Sequence, residues 1–219
     1  MSESDSFIDE VAEEVRRDKL FALMRKYGWI AISAVMLIVG GASWNELQKA
    51  RSQAAAEAFG DAVLAAMASD DAKSRLAALA DISAGDAPGR AAVLGFLAAA
   101  EAETAGDRDA ALSALTAVAG NPEIADSYRQ LATLKSVLLS GDKMAAGTRD
   151  TTLSALAAPG APFRALAMEQ QALALLSVGK ADEAATLLAQ IKEDADATPA
   201  LQSRVEQVLV ALGKGAAPE

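Results

Sequence analysis

The sequence contains no cysteine and no histidine. Without cysteine, the chain has no disulfide framework, no thiolate nucleophile and no thiolate metal site. Without histidine, it lacks the commonest general base and the commonest transition-metal ligand in proteins. These two absences exclude catalytic triads with a histidine base, zinc motifs and cysteine–histidine pairs. We therefore expect a protein that is not an enzyme and that has no cofactor and no metal site.

Aromatic residues are also scarce, at 4% of the chain, and basic residues are outnumbered by acidic ones. Residues 46–219 contain 23 acidic and 15 basic residues. This balance disfavours nucleic acid, because phosphates must be met by clustered Lys and Arg. It gives no support to attachment on anionic lipid either. We expect partners that are proteins, and neither nucleic acid nor a small-molecule substrate.

The longest apolar run lies near the N-terminus. The 19 residues between Lys26 and Glu46 are uncharged, and as a helix they are about 28 Å long, close to the ~30 Å hydrocarbon core of a bilayer. Aromatic residues stand at both ends of the run, as in the interfacial belts of membrane proteins. We predict a transmembrane helix over residues 27–45. The residues expected at its two membrane interfaces are Lys26, Tyr27, Trp29 and Trp44.

The charges on either side of this run predict its orientation. Five basic residues lie within residues 16–26, whereas Lys49 and Arg51 alone follow closely on the other side. The positive-inside rule then places residues 1–26 in the cytoplasm and residues 46–212 across the membrane. A signal peptide cleaved near Gly40-Gly-Ala42 is the alternative, and it exports the same domain.

Residues 1–26 have the pattern of an amphipathic helix. Ser6-Phe-Ile-Asp9 fits a capping box, and Ile8, Val11 and Val15 recur at roughly helical spacing. The predicted helix either docks on a cytoplasmic partner or lies along the membrane surface.

Glycine, proline and aromatic residues recur after residue 46 with a common period. Four prolines are separated by 34, 40 and 37 residues, three glycines by 35 and 38, and four aromatic residues by 37, 32 and 35. The alanine- and leucine-rich sequence between them favours helix, and a period near 34 built from two helices is typical of a tetratricopeptide array. The markers are Pro88, Pro122, Pro162 and Pro199; Gly106, Gly141 and Gly179; and Phe59, Phe96, Tyr128 and Phe163.

The sequence therefore predicts an all-α fold. A single N-terminal transmembrane helix is followed over residues 46–212 by an α-solenoid of about four degenerate helix pairs in a right-handed arc, and then by a flexible tail, 213–219. No Gly or Pro separates Trp44 from Phe59, so one helix should continue out of the span. Loop-like interruptions are expected near 144–150 and 157–161.

Local signals assign roles to the markers. The prolines are expected to open helices at the N1 position, and Gly106, Gly141 and Gly179 to form turns within the pairs. The clearest pair spans residues 165–199, where the small Ala172 and Ala184 should allow its two helices to approach.

Acidic residues offer the remaining candidate sites. The clusters at Asp70-Asp71, Asp107/Asp109 and Glu193-Asp-Ala-Asp196 lack the spacing of an EF-hand loop, and we expect helix caps there instead. Glu101 and Glu103 are two residues apart on a predicted helix and should point away from each other. This argues against the paired carboxylates of a glycosidase.

Three segments resemble a known family. They are Asp9-Glu-Val-Ala-Glu-Glu-Val-Arg-Arg-Asp-Lys-Leu20, Lys26-Tyr-Gly-Trp29 and Ala50-Arg-Ser-Gln-Ala-Ala-Ala-Glu-Ala-Phe59. With the overall architecture, they are similar to the tetratricopeptide-repeat-like ancillary subunits of the bacterial Sec translocon, which are single-span inner-membrane proteins with an exported repeat domain.

This resemblance implies a non-enzymatic role beside the translocon exit. The implied partners are translocon subunits, periplasmic chaperones or isomerases, and exported polypeptides. The implied location is the bacterial inner membrane, with the N-terminus cytoplasmic and the repeat domain periplasmic. The alternative is an accessory or assembly subunit of another inner-membrane complex, respiratory or envelope. No partner-binding residue is assigned by the resemblance.

Overall fold

A computed structural model describes residues 3–215 of the chain, with side chains described at residues 17, 21, 24–30 and 32–215. Within these residues every regular element is a helix, which confirms the all-α prediction. A short 3-10 helix, Gly141–Lys143, lies between α5 and α6. The α-helices are α1 (Glu3–Ala66), α2 (Ala72–Ala80), α3 (Pro88–Thr104), α4 (Arg108–Gly120), α5 (Asp126–Ser140), α6 (Ala146–Leu156), α7 (Arg164–Ser177), α8 (Ala181–Glu193) and α9 (Pro199–Ala211).

Helix α1 is 64 residues long and passes unbroken through the interval from Trp44 to Phe59, as predicted. One stretch within the described residues, Met24–Ala66, is long and apolar enough to cross a membrane by length and composition. The amphipathic pattern predicted for residues 1–26 falls largely on side chains outside the described residues. The chain divides into two compact units between Gly60 and Asp61.

The second unit is a series of packed helices. Helix α2 packs on α3, and three complete pairs follow, α3–α4, α5–α6 and α7–α8, with α9 packed on α8. The second unit therefore contains three complete pairs. The prediction of about four pairs stays a prediction, because its first pair was expected to begin in α1. Helix α2, within residues 61–86, is only nine residues long. A loop containing Gly85, which has a positive φ, separates α2 from α3.

Small residues bring the two helices of a pair close together. Ala172 of α7 and Ala184 of α8 are both fully buried in one apolar cluster, as predicted for the pair at 165–199. In the α3–α4 pair, a Cβ built on Gly95 would overlap the Cγ2 atom of buried Val118. Close packing of this kind contributes dispersion energy over many atom pairs.

Two of the four marker prolines open helices and two do not. Pro88 begins α3, and Pro199 begins α9, where Thr198 Oγ1 accepts a hydrogen bond from Leu201 N at 3.3 Å. Pro122 and Pro162 instead lie in turns before α5 and α7, so the prediction for them is wrong.

The turns at Pro122 and Pro162 have local causes. Asn121 Oδ1 accepts a hydrogen bond from Glu123 N at 3.0 Å, and Ile124, 3% exposed, enters the core before the helix starts. After Pro162, Phe163 packs on the cluster of α5, α6 and α7. Proline fits the second position of a turn as well as it fits a first helical turn.

The loops near α6 match the predictions in part. The interruption expected at 144–150 is wrong, because α6 begins at Ala146 and the break covers only the 3-10 helix and two further residues. Residues 157–163 form turns, in agreement with the interruption expected near 157–161. At the C-terminus, residues 213–215 of the predicted flexible tail cap α9, with Lys214 N and Gly215 N bonded to Leu209 O. Residues 216–219 lie outside the described residues.

Candidate functional site

The residues singled out from the sequence lie in two places. Lys26, Tyr27, Trp29 and Trp44 are exposed on α1, and the Lys26 ammonium lies 5.5 Å from the centroid of the Tyr27 ring. Trp29 and Trp44 are 15 positions apart, about 22 Å along a helix axis. The three turn glycines belong to the other unit.

Gly106 and Gly179 occupy equivalent turns. Both have positive φ, 78° and 79°, which glycine adopts without steric cost. Each ends the first helix of a pair in a Schellman motif, in which Asp107 N bonds to Ala102 O at 2.8 Å and Lys180 N bonds to Leu175 O at 2.9 Å. The second helix begins immediately afterwards. Gly141 also has a positive φ, 51°, but it leads into the 3-10 helix.

A groove of the repeat unit lies along α5, α7 and α9, and its volume is about 720 Å³. Helices α5 and α7 are the first helices of successive pairs, and α9 occupies the next such position. Most of the lining is aliphatic, and the polar side chains in it are Glu169, Gln170, Arg204 and Gln207. The principal aliphatic residues are Leu134, Leu138, Leu166, Leu173, Leu176 and Val208.

Helical spacing explains why one stripe of each helix reaches this groove. On α7 the lining residues follow one another at intervals of one or three positions from Leu166 to Leu176, which keeps them on one face. The remaining face of α7 carries Ala165, Met168 and Ala172 into the buried core. Helix α7 is therefore apolar on two faces, and one of them is left for the groove.

The groove exposes large apolar side chains to solvent. Leu138 is 50% exposed and Leu173 is 42% exposed. Apolar surface of this kind is unfavourable in water, and rimmed by polar residues it is typical of an interaction site.

The two charged residues of the groove neutralise each other. Arg204 on α9 donates two hydrogen bonds to the Glu169 carboxylate on α7, at 3.0 and 2.9 Å. These bonds to Glu169 raise the pKa of Arg204. Glu169 is nearly covered, at 12% side-chain exposure, and Arg204 is half exposed. The pair joins α7 to α9 in the fork geometry that favours Arg–carboxylate contacts.

The sequence profile of the tetratricopeptide repeat-like domain matches residues 25–212. The chain belongs to this family. No curated protein and no solved structure matches it. Membership accounts for the paired helices and their turn glycines, and tetratricopeptide repeat-like domains are modules of protein–protein interaction.

A second described cavity of the tetratricopeptide repeat-like domain, of about 430 Å³, lies among α6, α7 and α8. Its charged side chains pair locally: Arg149 with Asp150 at 3.3 Å, and Lys180, which immediately precedes α8, with Glu183 of α8 at 3.1 Å. Val178, 64% exposed, is its most exposed large apolar side chain. This cavity provides a comparison surface for the leucine-lined groove.

The acidic clusters act in part as helix caps, as predicted. Asp71 Oδ2 accepts a hydrogen bond from Ser74 N at 2.8 Å at the start of α2, and Asp107 Oδ1 accepts one from Ala110 N at 3.0 Å at the start of α4. Hydrogen bonds from Ser74 lower the pKa of Asp71. Among the described residues, no group of three or more Asp or Glu is arranged to hold a metal ion.

Glu101 and Glu103 point apart, as predicted, but Glu101 has a partner that the sequence did not reveal. It is 7% exposed and lies 2.6 Å from a guanidinium nitrogen of Arg75 on α2. Arg75 also donates to the carbonyl oxygens of Ser69 and Asp70, at 2.8 and 3.0 Å. This contact fixes the start of α2 against α3 and is structural.

The groove residues were missed by sequence reasoning. The sequence of α7 did contain a signal for the groove, because its leucines are too many to lie on a single buried face. Leu173, 42% exposed, lies outside that face, whereas Leu166 and Leu176 also pack against buried clusters. Which of them faces a neighbouring helix and which faces a groove depends on the packing of α5 and α9.

Proposed function

We propose that the protein is a membrane-tethered, non-enzymatic scaffold that binds other polypeptides through the groove of α5, α7 and α9. The single observation that carries this proposal is the groove itself, an exposed leucine-lined surface on a tetratricopeptide repeat-like domain. Its lining offers apolar contact and amide groups, which suit a peptide chain. The absence of cysteine and histidine from the sequence agrees with a binding role.

The tether is the apolar segment of α1. Its described side chains from Ile32 to Gly41 are all exposed, which is unfavourable in water and favourable in lipid. In this proposal residues 1–26 are cytoplasmic, residues 27–45 span the membrane, and residues 46–212 lie in the periplasm. The excess of basic residues before the span supports this orientation.

The proposed site of action is the exit of the Sec translocon in the bacterial inner membrane. The support is the resemblance of residues 9–20, 26–29 and 50–59 to ancillary translocon subunits. In this role the protein brings periplasmic chaperones or isomerases to exported polypeptides as they emerge.

Crosslinking in cells, followed by purification in mild detergent and mass spectrometry, tests the location and the partners. The full-length tagged protein is compared with a variant in which residues 1–45 are replaced by an unrelated single-span anchor. We expect the native protein to retain translocon subunits together with chaperones or exported proteins, and the variant to lose the translocon subunits. A single unrelated complex at fixed stoichiometry would contradict the proposal and favour an accessory subunit.

A further inference from the structure

The leucine-lined groove carries no unmatched charge on its described lining. Its two ionisable side chains, Glu169 and Arg204, bond to each other through two hydrogen bonds. A charged residue of a ligand entering here loses water and meets no free counter-charge, which is unfavourable. An uncharged apolar residue meets exposed leucine instead.

We infer that the groove selects uncharged apolar segments of other polypeptides, and that the Glu169–Arg204 pair enforces this selection by holding both charges internally satisfied. The inference rests on the proposed function, which supplies binding to polypeptides, and it adds the chemical class of the segment. The partner is an unfolded or extended apolar stretch and not a charged chain terminus. Charge complementarity decides this, because a neutral groove matches a neutral ligand.

The dimensions of the groove suit a short extended segment. Its volume of about 720 Å³ lies within the range of about 300–1,000 Å³ that is typical of ligand pockets. The side-chain amides of Gln170 and Gln207 are the uncharged polar groups of the lining, and each is able to donate to and accept from a peptide backbone.

Removing one member of the pair should change the selectivity in a defined direction. In Glu169→Gln the guanidinium of Arg204 loses its carboxylate and becomes available to an acidic residue of a ligand. In Arg204→Gln the Glu169 carboxylate becomes available to a basic residue. The double variant Glu169→Gln/Arg204→Gln has neither charge and should keep the preference for neutral segments.

Peptide binding to the full-length protein in nanodiscs tests this inference. The probes are fluorescein-labelled nine-residue peptides with blocked termini: one alternates leucine and serine, and two others carry lysine or aspartate at the two central positions. Fluorescence anisotropy is measured against empty nanodiscs. We expect the neutral peptide to bind the native protein about tenfold or more tightly than either charged peptide.

The variants then separate the groove from the rest of the surface. Leu138→Ser/Leu173→Ser should abolish binding of the neutral peptide, and Val178→Ser, in the cavity among α6, α7 and α8, should leave it unchanged. Glu169→Gln should improve binding of the aspartate peptide alone, and Arg204→Gln that of the lysine peptide alone. Circular dichroism checks that each variant retains its helices.

Equal binding of neutral and charged peptides, no peptide binding by the folded native protein, or unchanged selectivity in both single variants would overturn the inference. Its failure is distinguishable from failure of the proposed function. If crosslinking captures translocon subunits but the groove binds neutral and charged peptides equally, only the inference is wrong and the proposed function stands. Charge-selective binding without translocon subunits would remove the proposed location and leave the selectivity of the groove intact.

Discussion

Single residues set how closely the helices of a pair approach and which charges are satisfied between them. Gly95 on α3 faces Val118 of α4, and Glu101 on the same helix faces Arg75 of α2. The sequence indicated that Ala172 and Ala184 lie where two helices approach, but it did not indicate that Gly95 lies at such a point. It placed Glu101 and Glu103 on different faces, but the partner of Glu101 lies 26 residues away in sequence, beyond the reach of helical periodicity.

Gly95→Ala should destabilise the tetratricopeptide repeat-like domain. The added Cβ overlaps Val118 Cγ2, and Val118 is 2% exposed and β-branched, so it has little freedom to move. We expect the free energy of unfolding to fall by about 1–3 kcal/mol, measured by urea denaturation of the full-length protein in mild detergent.

Two further variants control this prediction. Gly89→Ala adds a Cβ that meets nothing within 4 Å and should be neutral or slightly stabilising. Val118→Ala combined with Gly95→Ala should be less harmful than the sum of the two single changes, because the overlap is removed. Strict additivity would contradict the close approach of α3 and α4 at this point.

Glu101→Ala should also be destabilising, because it leaves the guanidinium of Arg75 without its carboxylate. We expect a loss of about 1–3 kcal/mol in the free energy of unfolding. Glu103→Ala, on the exposed side of the same helix, is the matched control and should change it by less than about 0.5 kcal/mol. Equal effects of the two substitutions would rule out a structural role for the Arg75–Glu101 pair.

At the scale of helices, the sequence predicted that the helices exist and in which order they follow, but it did not predict several of their boundaries. The period of glycine, proline and aromatic residues indicates helix pairs because Gly is favoured just after a helix end and Pro at a helix start. Pro122 and Pro162 misled the prediction, because a turn accommodates proline equally well. Their turns are fixed by tertiary packing, as the burial of Ile124 shows.

The start of α2 gives a prediction for pH dependence. Hydrogen bonds from Ser74 lower the pKa of Asp71 in the folded state. A carboxyl group whose pKa is lower in the folded state than in the unfolded state, where it is about 4, stabilises the folded state at pH values above about 4. This contribution is lost as the pH falls below about 4 and the carboxylate is protonated. Asp71→Asn retains a capping side chain without a titrating group.

Urea denaturation of the native protein and of Asp71→Asn at pH 6 and at pH 3 measures this effect. We expect the variant to lose less stability on acidification than the native protein does. Asp70→Asn removes the neighbouring carboxylate, which does not cap α2. This variant should lose as much stability on acidification as the native protein does. A native-like acid dependence in Asp71→Asn would contradict the assigned cap.

At the scale of the whole molecule, the protein has two main features: an apolar helix with exposed side chains and a tetratricopeptide repeat-like domain with a leucine-lined groove. The apolar helix could be predicted from the sequence, because a run of uncharged residues is a local property of the chain. The groove could not be, since it is formed by α5, α7 and α9, whose lining residues are separated by up to 78 positions, from Leu134 to Leu212. Only packing brings these residues together.

Photocrosslinking in cells tests most directly whether the groove captures polypeptides, as proposed for a membrane-tethered protein. A photoreactive amino acid replaces Leu173 in the groove or, as the control, Val178 in the cavity among α6, α7 and α8, in the full-length protein. Irradiated membranes are then purified and the adducts identified by mass spectrometry. We expect adducts with exported polypeptides and chaperones from position 173 and few from position 178. Equal adducts from both positions, or adducts from position 178 alone, would contradict the assignment of the groove as the binding site.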